Sequence, residues 1–168
     1  MTMLAIPAWP DPSTKEGAAF FANATAYVTA LKAHLDSNAF ALGMLANAEA
    51  ESSLDPAAEG DHVGCGAGRV ATAFGLHQWH ADRIAAIKAG AGIDIMAFPP
   101  VEIQAEAVWW ELQHVRWLGF ATIAAQGSAH MAAYEACVLY ERAGAAQAAD
   151  RRGAMATRWT AWFGRKGF

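Results

Sequence analysis

One glutamate of the sequence stands at the end of an apolar helical stripe, where a carboxyl group can retain its proton. Phe40, Met44, Asn47 and Glu51 follow one another at spacings of four, three and four residues, which places them on one face of a helix. Burial disfavours the charged form of a carboxyl group, and the partial negative charge at a helix C-terminus acts in the same direction. A protonated carboxyl group can donate to the oxygen of a glycosidic bond. Glu51 is therefore a candidate general acid, with a solvated residue at a helix end as the alternative.

A second group of residues has the types and spacing of metal ligands. Two residues separate His62 from Cys65, and two separate His77 from His80. Zinc binds imidazole and thiolate groups at such spacings, so a zinc hydrolase or a structural zinc site is a rival interpretation. The sequence contains no His-Glu-x-x-His pattern, and His77 and His80 flank Gln78-Trp79 just before a predicted helix. We therefore expect exposed loop and cap residues here, and no metal or other cofactor.

Four segments of the chain carry recognisable motifs in a fixed order. They are Leu45–Pro56, Phe74–Trp79 with Arg83, Ile103-Gln104 with Trp109–Leu112, and Tyr140-Glu141-Arg142. These segments resemble, in turn, the GN-x-x-x-ES-x-x-x-P, GxGLxQW, Q…W-x-EL and YER or FER motifs of the phage tail lysozyme family. That family is related to the lytic transglycosylases and the goose-type lysozymes. One departure is His77, which stands where a small or apolar residue is common. Another is the glycine-rich stretch 59–72, which is longer than the turn often found there.

The resemblance implies a site and an activity. The Glu of the ES pair is the catalytic acid in that family, which corresponds to Glu51, and the Gln of GLxQW lines the glycan cleft, which corresponds to Gln78. Amides bond sugar hydroxyls and aromatic faces stack on sugar rings. We therefore expect substrate contacts from other residues of these motifs, namely Ser52, Phe74, Trp79 and Tyr140. For Trp79, a position in the core is an equally open alternative.

A second carboxylate is not fixed by the sequence. Inverting and retaining glycosidases both use one, whereas lytic transglycosylases manage with a single acid because the muramic acid sugar closes on itself as a 1,6-anhydro product. Candidates are Asp55, Glu59, Asp61 and Asp82, and Glu141 has either this role or a structural one. We expect Asp55 to form a turn and Asp82 to cap a helix. We also expect Arg83 and Glu141 to form an internal ion pair.

The function implied by the resemblance is cleavage of the β-1,4 bond between N-acetylmuramic acid and N-acetylglucosamine in peptidoglycan. Whether the chain is a muramidase or a lytic transglycosylase is open at this point. A non-catalytic module that binds the cell wall or a tail baseplate is a further alternative. The expected partners are the glycan strand and phage or phage-like tail proteins. The expected location is a virion tail, a phage-like particle, or the cytoplasm until release to the cell wall.

The elements that would position these residues are helices, because apolar residues recur at helical spacing and alternating patterns are almost absent. Helix starts are predicted at Ser13, in a capping box with Glu16, at Ser37 or Asn38, at His80 or Ala81, after Pro99-Pro100 and at Ser128. The second helix should end near Ser52, before Pro56. The helix over 101–117 is apolar on two faces, so we expect it to be the central buried helix. The third helix should end near Gly90, the fifth should run from Ser128 to Arg142, and the sixth should cover 147–163.

Length and composition favour a single domain over residues 13–168, preceded by an extended, proline-containing arm over residues 1–12. Helical spacing makes this domain all-α with about six helices, and the resemblance implies that it is lysozyme-like. The chain has 168 residues, of which 55% are hydrophobic, which is too apolar for a disordered protein. No apolar run approaches the ~20 residues of a membrane span, and the N-terminus has no signal-peptide pattern. The net charge of −4 without a basic cluster argues against nucleic-acid binding. Cys65 and Cys137 can form one bridge or stay as two thiols.

Overall fold

The predicted all-α class is confirmed by the computed structural model, which describes residues 6–63, 69–115, 118–143 and 146–168. Within these ranges the chain forms seven α-helices and one small antiparallel sheet. The helices are α1 (Lys15–His34), α2 (Asn38–Ser52), α3 (Ala81–Ala91), α4 (Val101–His114), α5 (Phe120–Ala124), α6 (Ala129–Ala136) and α7 (Ala146–Gly164). The strands are β1 (Glu59–Gly60) and β2 (Ala73–Phe74), a 3₁₀ turn covers Ile95–Ala97, and a π-helical turn over Cys137–Glu141 continues α6.

Helix α2 lies at the centre of the fold. Every residue from 40 to 49 is buried, because α1, α6 and α7 all pack around it. A helix covered on all sides carries no polar face, and this stretch of α2 is almost entirely apolar. The prediction that α4 is the central helix is wrong. Its two apolar faces pack on α1 and α3, and it exposes Glu102, Ile103 and His114 to solvent.

Helices α2 and α6 are in close contact at Gly43. A Cβ atom at this position would lie 2.6 Å from the Cβ of Ala132 and 2.8 Å from the backbone nitrogen of Ala133. The side-chain amide of Asn47 reinforces the contact by donating to the carbonyl of Gly43 at 2.9 Å and to that of Ala133 at 3.1 Å. This packing brings the C-terminal end of α2, with Glu51, towards the end of α6.

The helix starts follow local capping signals. Ser37 and Ser128 accept hydrogen bonds from backbone N–H groups in the first turns of α2 and α6, as predicted. The predicted cap at Ser13 is wrong by one residue, since Thr14 accepts the bond from the N–H of Gly17 at 3.0 Å. Helix α7 begins at Ala146, one residue before the predicted start.

The chain turns sharply after α2. Ser53 and Leu54 have left-handed backbone conformations, with φ of 55° and 61°. Asp55 then accepts a hydrogen bond from the N–H of Ala57 at 2.9 Å, which confirms the predicted turn. The sheet that follows was not predicted, because strands of two residues are too short to show an alternating pattern. The five-residue helix α5 was missed for a similar reason.

The N-terminal arm packs against the helical domain over its described residues. Residues 6–11 form no helix or strand, as expected for a segment with several prolines. The ring of Trp9 lies 4.3 Å from that of Trp159 on α7 and also contacts Phe20 on α1. Across the described part of the chain, no helix combines the length and apolar character that crossing a bilayer requires.

Candidate active site

Glu51 lies in the last turn of α2 and is half-buried, with 23% of its side chain exposed. Its Oε1 atom accepts a hydrogen bond from the guanidinium of Arg152 on α7, whose side chain is only 9% exposed. The other terminal nitrogen of Arg152 donates to Oδ1 of Asn47 at 2.8 Å. Because the amide of Asn47 is itself bound to backbone carbonyls, Asn47 and Arg152 fix the position of the Glu51 carboxyl group.

The electrostatic surroundings of Glu51 favour its protonated form. Burial raises the pKa of Glu51, and the nearby carboxylate of Glu141 raises it further. Arg152 and His77 act in the opposite direction, but the balance leaves the pKa above its ordinary value. A carboxyl group whose pKa is raised in this way can act as a general acid closer to neutral pH than an exposed glutamate.

Glu141 lies at the end of the π-helical turn and is almost fully buried, with 3% of its side chain exposed. It accepts a hydrogen bond from Nδ1 of His77, and Nε2 of His77 lies 2.6 Å from the hydroxyl of Tyr27 on α1. Both ring nitrogens of His77 are therefore engaged. Glu141, whose charge acts on Glu51, is therefore anchored by a buried histidine that is itself bonded to a buried tyrosine.

The other candidates for a second carboxylate are exposed. Asp55 forms the turn after α2, Glu59 lies in β1, and Asp61 lies 3.3 Å from Nε2 of His80. Asp82 lies in the first turn of α3 and not at the N-cap, so the predicted cap is wrong by two residues. Asp82 and Glu141 both line a cavity of about 370 Å³ beside α3 and α4.

Glu111 on α4 is the centre of a buried polar cluster that the sequence did not predict. Its carboxylate accepts hydrogen bonds from the indole of Trp79 at 2.7 Å, from the hydroxyl of Tyr140 at 2.6 Å and from two guanidinium nitrogens of Arg83 at 2.8 Å. The expected ion pair between Arg83 and Glu141 is therefore wrong, since Arg83 pairs with Glu111. The signal that could have identified Glu111 is its place among apolar residues in the Trp109–Leu112 segment.

This cluster also corrects two expected substrate contacts. Trp79 is completely buried and Tyr140 is 1% exposed. Their polar atoms are bound to Glu111, and neither ring is open for stacking on a sugar. Both residues belong to the core, where a buried indole or phenol needs a hydrogen-bond partner.

The remaining expected contacts stay predictions. The side-chain amide of Gln78 donates to the carbonyl of Gly75 at 3.0 Å and lies 3.4 Å from that of Ala58, and its backbone has a positive φ of 47°. Ser52 donates to a backbone carbonyl within α2. Phe74 is half-buried and its ring lies 6.4 Å from that of Phe98. Gln78 therefore ties its loop together in this structure.

The rival zinc site is not assembled among the described residues. His77 is buried with both nitrogens engaged, whereas His62 and His80 are exposed, and Nδ1 of His80 lies 3.0 Å from the carbonyl of Thr72. The described ranges contain no group of three or more residues with suitable side chains close enough to share a metal ion. Cys65 lies outside the described residues, and Cys137 is buried at the end of α6.

Together, these features define a mostly helical domain with a half-buried glutamate at the end of its central helix. A family model described as phage tail lysozyme matches residues 22–163, nearly the whole chain, so the protein belongs to the phage tail lysozyme family. No curated protein and no solved structure shows a significant match to it. Family membership indicates a lysozyme-like function on peptidoglycan.

Proposed function

We propose that this protein cleaves the glycan strands of peptidoglycan at the β-1,4 bond between N-acetylmuramic acid and N-acetylglucosamine, with Glu51 as the general acid. The observation that carries the proposal is the position of Glu51. It is the glutamate of the segment that resembles the family's ES motif, it is half-buried at the end of the central helix, and its pKa is raised. A glycosidase needs a carboxyl group with these properties to protonate the leaving oxygen.

In the first step, Glu51 donates its proton to the glycosidic oxygen as the bond from that oxygen to the anomeric carbon breaks. Arg152 binds Oε1, which leaves Oε2 as the oxygen that carries the proton. Loss of the proton leaves a carboxylate, and the guanidinium of Arg152 stabilises this charge. Arg152 therefore stabilises Glu51 after it has donated its proton, whereas burial and the charge of Glu141 stabilise Glu51 while it still holds the proton.

The second step can take two courses. In hydrolysis, water attacks the anomeric carbon and gives a proton to a carboxylate. In transglycosylation, the C6 hydroxyl of the muramic acid residue attacks the same carbon, and its proton returns to Glu51. Glu141 is buried and bound by His77, so we assign it an effect on Glu51 through its charge and not the role of the base that receives this proton. The products of the two courses differ by one molecule of water.

Mass spectrometry of the fragments released from purified peptidoglycan tests this proposal. Reducing ends identify a muramidase and 1,6-anhydro ends identify a lytic transglycosylase. The proposal is wrong if the folded protein releases no fragments from the peptidoglycan of either thin or thick bacterial cell walls. Co-sedimentation with the insoluble wall in that case would favour the alternative of a non-catalytic wall-binding module.

The family also bears on where such an enzyme would act. We propose that it works as part of a phage tail or phage-like particle, or after release to the cell wall. Detection of the chain in purified particles by mass spectrometry would test the first location.

A further inference from the structure

We propose that Glu141 and Arg152 are positioning residues of opposite charge that together set how readily Glu51 holds and releases its proton. Each is buried and each is held by hydrogen bonds to its own polar partners, so neither charge can move away from the site. The relevance to catalysis rests on the proposed function, but the charge effect itself can be measured without any substrate.

Glu141 is anchored by a chain of two buried side chains. His77 is 1% exposed, and its ring lies among the rings of Tyr27, Trp79 and Tyr140 at centroid distances of 5.2–5.8 Å. Its Nδ1–H donates to Glu141, while Nε2 faces the hydroxyl of Tyr27 at 2.6 Å. Rings packed on several sides have one available orientation, so His77 holds the carboxylate of Glu141 in one place.

Arg152 on α7 is held by side chains of α2. Its Nη1 donates to Asn47 at 2.8 Å, and Asn47 is bound to carbonyls of α2 and α6. Its Nη2 binds Glu51 directly. A guanidinium keeps its charge at every pH that a folded protein tolerates, so Arg152 is a permanent cation beside Glu51.

Four ionisable groups act around Glu51 in the described structure. They are Arg152 on α7, Glu141 in the π-helical turn, His77 in the loop before α3, and the thiol of Cys137 at the end of α6. Burial raises the pKa of Cys137, so the thiol stays neutral near pH 7. The anion that favours the protonated form of Glu51 is therefore Glu141, and the closest cation that opposes it is Arg152.

The test is the titration of the Glu51 carboxyl group, followed by NMR of protein labelled with ¹³C at the glutamate side-chain carboxyl carbon. The Glu51 signal is identified by its absence in Glu51→Gln. Glu141→Gln removes the anion but keeps an oxygen that accepts from His77, and it should lower the titration midpoint by about one pH unit. Arg152→Gln removes the cation but keeps a donor, and it should raise the midpoint by about the same amount.

Matched controls carry the same charge changes at exposed sites. Glu106→Gln removes a surface anion on α4, and Arg151→Gln removes the neighbouring cation on α7. Solvent and salt screen these charges, so the midpoint should stay at its wild-type value. Arg152→Lys restores a cation and should return the midpoint towards the wild-type value. If Arg152→Gln or Glu141→Gln does not fold, Arg152→Met and Glu141→Met replace them in the same comparison.

Opposite displacements of the midpoint by the two buried substitutions would establish the inference. Unchanged midpoints in both, or displacements no larger than those of the surface controls, would overturn it. An inactive wild-type protein would instead overturn the proposed function and leave the titration result standing. In an active enzyme, the alkaline limb of the pH profile of kcat/KM should move with the midpoint, to lower pH in Glu141→Gln and to higher pH in Arg152→Gln.

Discussion

Glu49 and Glu51 lie two residues apart on α2, and each is bound by a different arginine of α7. Burial raises the pKa of both carboxyl groups, so burial alone does not distinguish them. The two carboxyl groups differ in their hydrogen bonds. Both oxygens of Glu49 are occupied, by the indoles of Trp9 and Trp159 and by Arg158. Among the described residues, only Arg152 donates a hydrogen bond to the carboxylate of Glu51, which suits Glu49 to a structural role and Glu51 to proton transfer.

Glu51→Gln should abolish cleavage and leave the protein folded. The amide has nearly the same shape and its oxygen can still accept from Arg152, but it cannot donate a catalytic proton. General acid catalysis contributes about 10²–10⁴-fold to rate, so clearing of a peptidoglycan suspension should fall by at least that factor. The thermal midpoint, measured by circular dichroism, serves as the control. A folded variant that clears the suspension at the wild-type rate would remove Glu51 from the active site.

Glu49→Gln should have the reverse effect, a loss of stability without a loss of activity. The amide of glutamine places an N–H donor where indole and guanidinium groups also donate. The substitution also leaves the cation Arg158 without its counter-charge. We expect a loss of about 2 kcal/mol in the free energy of unfolding, since hydrogen bonds to charged groups contribute about 1.5–3 kcal/mol. Urea unfolding measures the loss, and activity per folded molecule should be unchanged. Unchanged stability with lost activity would show that the roles of the two glutamates are exchanged.

The stability of the protein should depend on the titration of Glu51. Its pKa is raised in the folded state above the ordinary value of 4.5, so the native protein retains a proton that the unfolded chain has already lost. The free energy of unfolding contributed by this group is therefore fully present below about pH 4.5 and declines as pH rises through the folded-state pKa. Urea unfolding across this range should show a smaller decline in Glu51→Gln. If the free energy of unfolding changes with pH in the same way in the two proteins, the pKa of Glu51 is not raised in the folded state.

Gly43→Ala should weaken the packing that brings the site together. The added methyl group would lie 2.6–2.8 Å from atoms of Ala132 and Ala133, one of them a backbone nitrogen, so α2 and α6 must move apart. Overpacking of this kind costs about 1–3 kcal/mol, and we expect both the thermal midpoint and the activity to fall. Gly127→Ala is a matched control, because a Cβ atom there would meet nothing within 4 Å. Equal effects of the two substitutions would show that the α2–α6 contact is not the cause.

Gln78→Ala should reduce stability. The amide of Gln78 holds the loop before α3 through the carbonyl of Gly75, and removing one such bond costs about 1 kcal/mol. For a domain of this size, that loss corresponds to a decrease of about 2–4 °C in the thermal midpoint. Measuring the midpoint and KM on one preparation separates this role from a contact with the glycan. An unchanged midpoint with a raised KM would assign Gln78 to substrate binding.

Several features of the molecule follow from sequence because they depend on neighbouring residues. Ser37 and Ser128 cap helices as predicted, and Asp55 forms the predicted turn before Pro56, since caps and turns are satisfied within a few residues. The placement of Glu51 on a largely apolar helix also follows from spacing alone. The motif order identified the family, which the match over residues 22–163 confirms.

Other features depend on partners far apart in the chain, and only the tertiary structure decided them. Periodicity shows which faces of α2 and α4 are apolar, but which helix lies at the centre depends on how many others pack around it. The same limit applies to Arg83, which pairs with Glu111 and not with Glu141, and to Trp79, whose indole reaches Glu111 across 32 residues of sequence. A sequence specifies the charge and shape of each side chain, whereas the choice of partner is made when the packed core leaves one arrangement in which nearly all buried polar groups have hydrogen-bond partners.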